Sequence, residues 1–143
     1  MERKWIPTIA ELIDRLSIHQ LKEVLIPENK EKYSKEMVDI VCDIDNILNE
    51  EKICLSGEMI QVIIALAQIN THIWYNESKA RKGEEQDLKL LKLTHGLNGI
   101  RSSLQNIILD IVGKSNRKDW KTDCLAADFK DWEMSILKKR VVS

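Results

Sequence analysis

Four side chains able to recognise a ligand recur at helical spacing near the middle of the sequence: Asn70, Trp74, Glu77 and Arg81. Steps of three or four residues place such side chains on one face of an α-helix. An aromatic ring, an amide and a guanidinium together suit a small polar or anionic ligand. The same row also fits an internal network, in which Glu77 and Arg81 form an ordinary i,i+4 ion pair.

A second polar row follows further along the chain, in Thr94, Asn98, Arg101 and Gln105. The apolar periodicity predicts two long helices, at about 57–82 and 87–112, joined by the short loop GEEQ at 83–86. So short a loop makes the two helices antiparallel, which brings the two polar rows together and places Trp74 opposite His95. The resulting candidate ligand-binding residues are Asn70, Trp74, Glu77, Arg81, His95, Asn98 and Arg101.

The sequence lacks the usual spacings of catalytic and metal-binding groups. His19, His72 and His95 form no H-E-x-x-H or E-x-x-H motif and have no cysteine at ligand spacing, and there is no glycine-rich phosphate loop. We therefore expect a protein that is not an enzyme, with no catalytic residue, no bound metal and no cofactor.

Paired carboxylates offer one enzymatic alternative. Glu28 and Glu31, followed by Glu36 and Asp39, resemble the pairs with which all-helical nucleotide pyrophosphatases hold Mg²⁺. The two pairs are close together in sequence, however, and the first falls in a predicted connector, so a solvated acidic surface is the better interpretation.

A basic segment near the C-terminus provides a secondary candidate site, composed of Arg117, Lys118 and Trp120. A ring beside cations can stack a base while the cations hold phosphate. The alternative is a tryptophan at a helix end that packs on the bundle among solvated lysines.

Composition favours one helical domain over residues 1–143. The chain has only five glycines and two prolines, and 43% of its residues are hydrophobic and 31% charged. A net charge of −1 gives no field that would attract nucleic acid, so nucleic acid is not an expected partner. We expect no membrane span, no signal peptide and a cytoplasmic location, with the thiols of Cys42, Cys54 and Cys124 unpaired and buried or half-buried.

The fold class predicted is an all-α bundle of four to five helices. The first helix should begin at a capping box, Thr8 to Glu11, and break after Ser17, where its apolar stripe changes phase. Residues 27–33 should form a charged connector, and the second helix should begin near Ser34.

The end of the chain should form one more helix. It is predicted over 122–139, with Phe129, Trp132 and Ile136 on its apolar face. It follows a polar connector at 114–121, so residues 114–143 form an arm that can pack on its own bundle or on a second copy. We expect self-association through this arm.

Two segments resemble a small, uncharacterised bacterial helical family, some of whose members lie near surface-glycan genes. The N-terminal TIAELIDRLSI (8–18) is similar to a T-I-G-E-L-I-D-R-L-S-I start. The pattern of Asn70, Trp74, Glu77, Ala80 and Arg81, followed by L-N-x-x-R at 97–101, is similar to that family's later motifs. The resemblance implies that these polar residues act as a unit, and it implies no activity.

These observations leave three functions open. The first is a non-enzymatic helical module that binds or sequesters a small polar or anionic, nucleotide-derived ligand. The second is a protein-interaction or inhibitor module of a phage or bacterium. The third is the Mg²⁺-dependent pyrophosphatase.

Overall fold

The computed structural model describes residues 6–81, 87–113 and 132–138. Within these ranges the regular structure is entirely helical, with no strand, which confirms the predicted all-α class. A 3₁₀ turn at Pro27–Asn29 joins the first two helices. The α-helices are α1 (Ile9–Leu25), α2 (Lys30–Glu50), α3 (Gly57–Arg81), α4 (Asp87–Ile111) and α5 (Ser135–Lys138).

Helices α3 and α4 form the antiparallel hairpin that the sequence predicts, and both end within one residue of the predicted bounds. Their facing sides supply most of the core, because apolar residues recur there every three or four positions. The fully buried side chains include Val62, Leu66, Ile69, Leu97, Ile100, Leu104 and Ile108. The end of α4 is followed by Gly113 at φ +78°, a left-handed conformation that glycine adopts without steric cost.

Helix α1 runs unbroken, so the predicted break after Ser17 is wrong. The phase of its apolar stripe changes because its two halves pack on different neighbours. Ile9 and Ile13 join the α3–α4 core, whereas His19 lies against α2. The predicted cap is confirmed: the Thr8 hydroxyl accepts a hydrogen bond from the backbone N–H of Glu11 at 3.1 Å.

Helix α2 begins at Lys30, four residues before the predicted start, so most of the predicted connector is helical. Lysine and glutamate are good helix formers, and Pro27 suits the first position of the preceding turn. At its other end, Lys52 adopts φ +53°, and the N–H of Ile53 bonds the carbonyl of Leu48 at 2.9 Å. This is the Schellman arrangement, which usually places glycine where Lys52 stands.

The C-terminal helix is shorter than predicted where the structure describes it. Helix α5 begins at Ser135, and residues 133–134 are not helical. Ile136 is buried in the α3–α4 core, and the ring of Trp132 meets that of His72 edge to face, with centroids 4.6 Å apart. Residues 132–138 therefore pack on their own chain. Residues 114–131, including Phe129, lie outside the described part, and the role of the arm in self-association stays a prediction.

Two further expectations concern the surface. Cys42 and Cys54 are free but exposed, so the predicted burial of these thiols is wrong, and Cys124 lies outside the described residues. In the described ranges, no helix combines the length and the apolar character that a bilayer span requires.

Candidate functional site

A buried carboxylate joins three helices at the centre of the molecule. Asp14 of α1 is 5% exposed, and its oxygens accept hydrogen bonds from one side chain of α3 and two of α4. Asn70 Nδ2 donates to Oδ1 at 2.8 Å, and Gln105 Nε2 donates to Oδ2 at 3.1 Å. Arg101 donates from Nε at 3.0 and 3.1 Å to the two oxygens, and also from Nη2 to Oδ2. We call these four residues the Asp14 cluster.

The Asp14 cluster forms because a charged residue lies on the buried side of α1. Asp14 follows Ile13 in the segment of α1 that packs on α3 and α4. Ser17, one turn later on the same face, brings its Oγ within 3.3 Å of Asn70 Nδ2. A buried charge without partners is costly, so the packing of α1 on the hairpin requires the donors that surround it.

The negative charge of Asp14 is paired with a positive charge of the same chain. Arg101 supplies the opposite charge through a two-pronged contact, and its side chain remains 28% exposed, against 7% for that of Asp14. Both carboxylate oxygens accept hydrogen bonds from side chains of the same chain. The arrangement is suited to fixing α1 against the hairpin.

Two buried polar atoms near the hairpin have no hydrogen-bond partner among the described residues: Gln105 Oε1 and Asn76 Nδ2. The amide of Gln105 cannot be turned to relieve this, because its Nε2 must donate to Asp14. An ordered water or a ligand donor would satisfy Gln105 Oε1.

The structure brings two of the predicted site residues together and turns a third away from them. Asn70 and Arg101 meet, as predicted, through the carboxylate of Asp14. Asn98 instead turns back on its own helix and donates to the carbonyl of Thr94 at 3.1 Å, as side chains with short amides often do. Asn98 is thus occupied away from the cluster.

Three of the remaining candidates lie in the described ranges, and none of them is a hydrogen-bond partner of Asp14. Trp74 and Glu77 are half-buried, and His95 is exposed. The side chain of Arg81 lies outside the described part of the structure. The secondary candidates also lie outside it: Arg117, Lys118 and Trp120.

The acidic residues of the pyrophosphatase alternative do not form a joint site in the described ranges. Glu36 accepts a hydrogen bond from Nε2 of His19 at 2.6 Å, while Nδ1 of the same ring lies 3.0 Å from the carbonyl of Arg15. No three acidic, histidine or cysteine side chains in those ranges lie close enough together to hold one metal ion.

Sequence reasoning missed Asp14, the residue on which the cluster depends. The available signal was a charge on an apolar face, because Asp14 continues the stripe that Ala10 and Ile13 begin. Its partners lie 56, 87 and 91 residues away in sequence, so no local pattern identifies them.

A second feature is the outer face of α3, the side turned away from α4. Residues 60–76 contain no Asp, Glu, Lys or Arg. Large apolar side chains on this face are strongly exposed: Ile60 is 47% exposed, Ile64 56% and Tyr75 50%. Between them lie the exposed Ala67 and Gln68 and the half-buried Thr71.

The exposed side of α2 is a useful contrast. It carries Lys35, Asp39, Asp43 and Asp45 among its exposed residues. Single exposed apolar side chains are common on protein surfaces, but a continuous neutral stripe is not. The outer face of α3 therefore differs in charge from the exposed side of α2, where Val38 and Val41 lie among charged residues.

Comparison of the chain with protein-family models, with curated proteins and with solved structures finds no match. The resemblance to the bacterial helical family stays an expectation based on motifs. Its motifs do contribute to one place in the fold, since the first supplies Asp14 and Ser17 and the later ones supply Asn70 and Arg101.

Proposed function

We propose that this chain is a non-enzymatic helical interaction module that binds a protein partner through the outer face of α3. The observation that supports this most strongly is the uncharged, partly apolar stripe formed by Ile60, Ile64, Ala67, Gln68 and Tyr75. Apolar residues outside the core side of a helix add little to the stability of the isolated chain. Their burial becomes favourable when a partner covers them.

The composition of the stripe fits a docking surface. Interface centres are depleted in charged residues and enriched in aromatic ones, because a charge buried without a partner is costly. The stripe has no charge to desolvate, and Tyr75 lies at one end of it. Ile64, near its middle, is the natural anchor for a partner's apolar pocket.

The Asp14 cluster gives this surface a rigid support. Asn70 of α3 belongs to the cluster, so hydrogen bonds to Asp14 tie the middle of α3 to α1, and through Arg101 to α4. A docking helix held on its inner side by a satisfied network is preorganised, and preorganisation lowers the entropic cost of binding. On this proposal Asn70 has a structural role, and the binding residues lie on the exposed face of α3 beside it.

Site-specific crosslinking tests the proposal. A photoactivatable amino acid is placed at Ile64 in cells that naturally make the chain, and, as the matched control, at Val38 of α2. Val38 is 66% exposed against 56% for Ile64, so both side chains are accessible. We expect defined protein adducts from position 64 and none from position 38. Equal yields at both positions, or none at 64, would contradict the proposal.

A small polar or anionic ligand at the Asp14 cluster is the second candidate. It is favoured by Gln105 Oε1, which has no hydrogen-bond partner among the described residues, and by the Arg101 side chain, which is 28% exposed. A ligand with a hydrogen-bond donor and an acidic group would satisfy both.

Thermal-shift measurements with nucleotides and nucleotide sugars test the second candidate. A ligand at a hundred times its Kd should stabilise the protein by about 2.7 kcal/mol. The shift should be reduced in Arg101→Lys, which keeps the charge and loses the planar fork. A panel without any shift would leave this candidate without support.

A further inference from the structure

We infer that the partner docked on the outer face of α3 is a second copy of this chain, an inference that rests on the function proposed above. In the resulting dimer the two α3 helices pack antiparallel about a two-fold axis. Two-fold dimers are the commonest oligomers, and they require a surface that is complementary to itself.

Antiparallel pairing about the midpoint of the stripe meets this requirement. Its ends are Ile60 and Tyr75, and its midpoint falls between Ala67 and Gln68. Antiparallel pairing about that midpoint places each Ile60 opposite the partner's Tyr75. It leaves the small side chain of Ala67 near the axis, where two helices must approach most closely.

Charge also favours a second copy. An uncharged face offers nothing to a partner selected by complementary charge. Two copies of the same neutral face meet without like-charge repulsion and without an unpaired buried charge. The more charged exposed side of α2, with Asp39 and Asp43, would repel its own copy.

The size of the stripe sets the expected strength. From residue 60 to residue 75 the helix is about 23 Å long, at a rise of about 1.5 Å per residue. Its width, with side chains, is about 10 Å. Such a face is smaller than the roughly 800 Å² per partner of a standard interface. The dimer should therefore be reversible, with a Kd of about 1–100 µM.

Sedimentation equilibrium of the full chain from about 0.5 to 500 µM brackets that range. The wild-type chain of 16.6 kDa should approach twice its mass at high concentration. Ile64→Glu should weaken the dimer by about tenfold or more, because it buries an unpaired charge on each copy. Val38→Glu, on α2, is the matched control and should dimerise as the wild type does.

The outcomes separate this inference from the proposed function. A wild-type chain that stays monomeric at every concentration overturns the inference that the partner is a second copy. Adducts with a different protein at position 64 would then still support the proposed interaction module. Dimerisation that Ile64→Glu leaves unchanged also overturns the inference, because the interface would lie elsewhere. Circular dichroism checks that each variant is folded. Both substitutions are at exposed positions, so we expect the fold to be kept.

A disulfide test fixes the register. With Cys42, Cys54 and Cys124 replaced by Ser, a single Gln68→Cys should form a disulfide-linked dimer under mild oxidation, because position 68 lies next to the axis. Ile60→Cys, at the exposed end of the stripe, is the control and should remain monomeric, because antiparallel pairing separates the two copies of position 60 by about 22 Å along the helix. Equal crosslinking of the two variants would refute the antiparallel arrangement.

Discussion

Replacing Asp14 by Asn should destabilise the protein by about 3 kcal/mol. The change preserves the shape of the side chain and removes its charge, leaving Arg101 without its counter-ion. Breaking a buried ion pair costs about 3–5 kcal/mol, and partial exposure of the Arg101 side chain, at 28%, lowers this to about 2 kcal/mol. An amide N–H would also face the donor Nε2 of Gln105, and one unsatisfied buried group adds about 1 kcal/mol.

Urea unfolding followed by circular dichroism measures this change, provided that the slope with denaturant is the same for both proteins. Asp45→Asn, an exposed change of the same chemistry on α2, is the control and should alter stability by less than about 0.5 kcal/mol. The double variant Asp14→Leu with Arg101→Met should recover part of the loss, because the apolar pair leaves no buried charge but takes the acceptor away from Gln105 Nε2. A loss below about 1 kcal/mol for Asp14→Asn would refute the cluster as the link between α1 and the hairpin.

Three smaller effects follow from the helix ends and from the contact between α1 and α2. Lys52→Gly should stabilise the protein by about 0.5 kcal/mol in urea unfolding, since relief of the left-handed conformation exceeds the entropy that glycine loses on folding. Thr8→Ala should cost about 1 kcal/mol in thermal unfolding, because the N–H of Glu11 loses its cap. A double-mutant cycle on His19→Gln and Glu36→Gln should give a coupling of about 0.5 kcal/mol, a small value because the Glu36 side chain is 43% exposed.

Each of these predictions has a result that contradicts it. Gly113→Ala provides the reverse of the Lys52 change and should destabilise, because Gly113 has φ +78°. Destabilisation by Lys52→Gly would show that the lysine makes a compensating contact. A Thr8→Ala variant as stable as the wild type would mean that another group caps α1, and a zero coupling would mean that His19 and Glu36 do not hold α1 against α2.

The hairpin was predictable because its information is local. Apolar residues spaced by three and four along α3 and α4 define both helices and their facing sides. The cap at Thr8 was predictable for the same reason, since a hydroxyl three residues before a backbone donor is a local signal. Ser56 caps α3 in the same way, because its Oγ accepts from the N–H of Met59 at 3.2 Å.

The error in α1 arose from tertiary packing, and the error in α2 arose from its charged start. A change of phase in the apolar stripe after Ser17 has two causes that look alike in sequence, a break in the helix and a change of neighbour. The structure contains the second, with the early residues of α1 on the hairpin and His19 on α2. The charged start of α2 at Lys30 likewise has no apolar periodicity by which it could be recognised.

The site was only half predictable. The polar rows identified Asn70 and Arg101, but the carboxylate that joins them comes from a helix far away in sequence. Asn98 shared their spacing and still bonded to its own helix at Thr94. Helical spacing predicts which side chains share a face. Which of them form hydrogen bonds depends on how another helix, here α1, packs against that face.

The most direct test of the central claim, that the outer face of α3 is a docking surface, is a photo-crosslinking scan. The photoactivatable residue is placed in turn at positions 64, 68 and 75 of α3 and at positions 38 and 39 of α2, all of which are exposed. We predict defined adducts from all three positions of α3, at twice the chain mass if the partner is a second copy, and none from α2. Adducts spread evenly over both helices would contradict the claim.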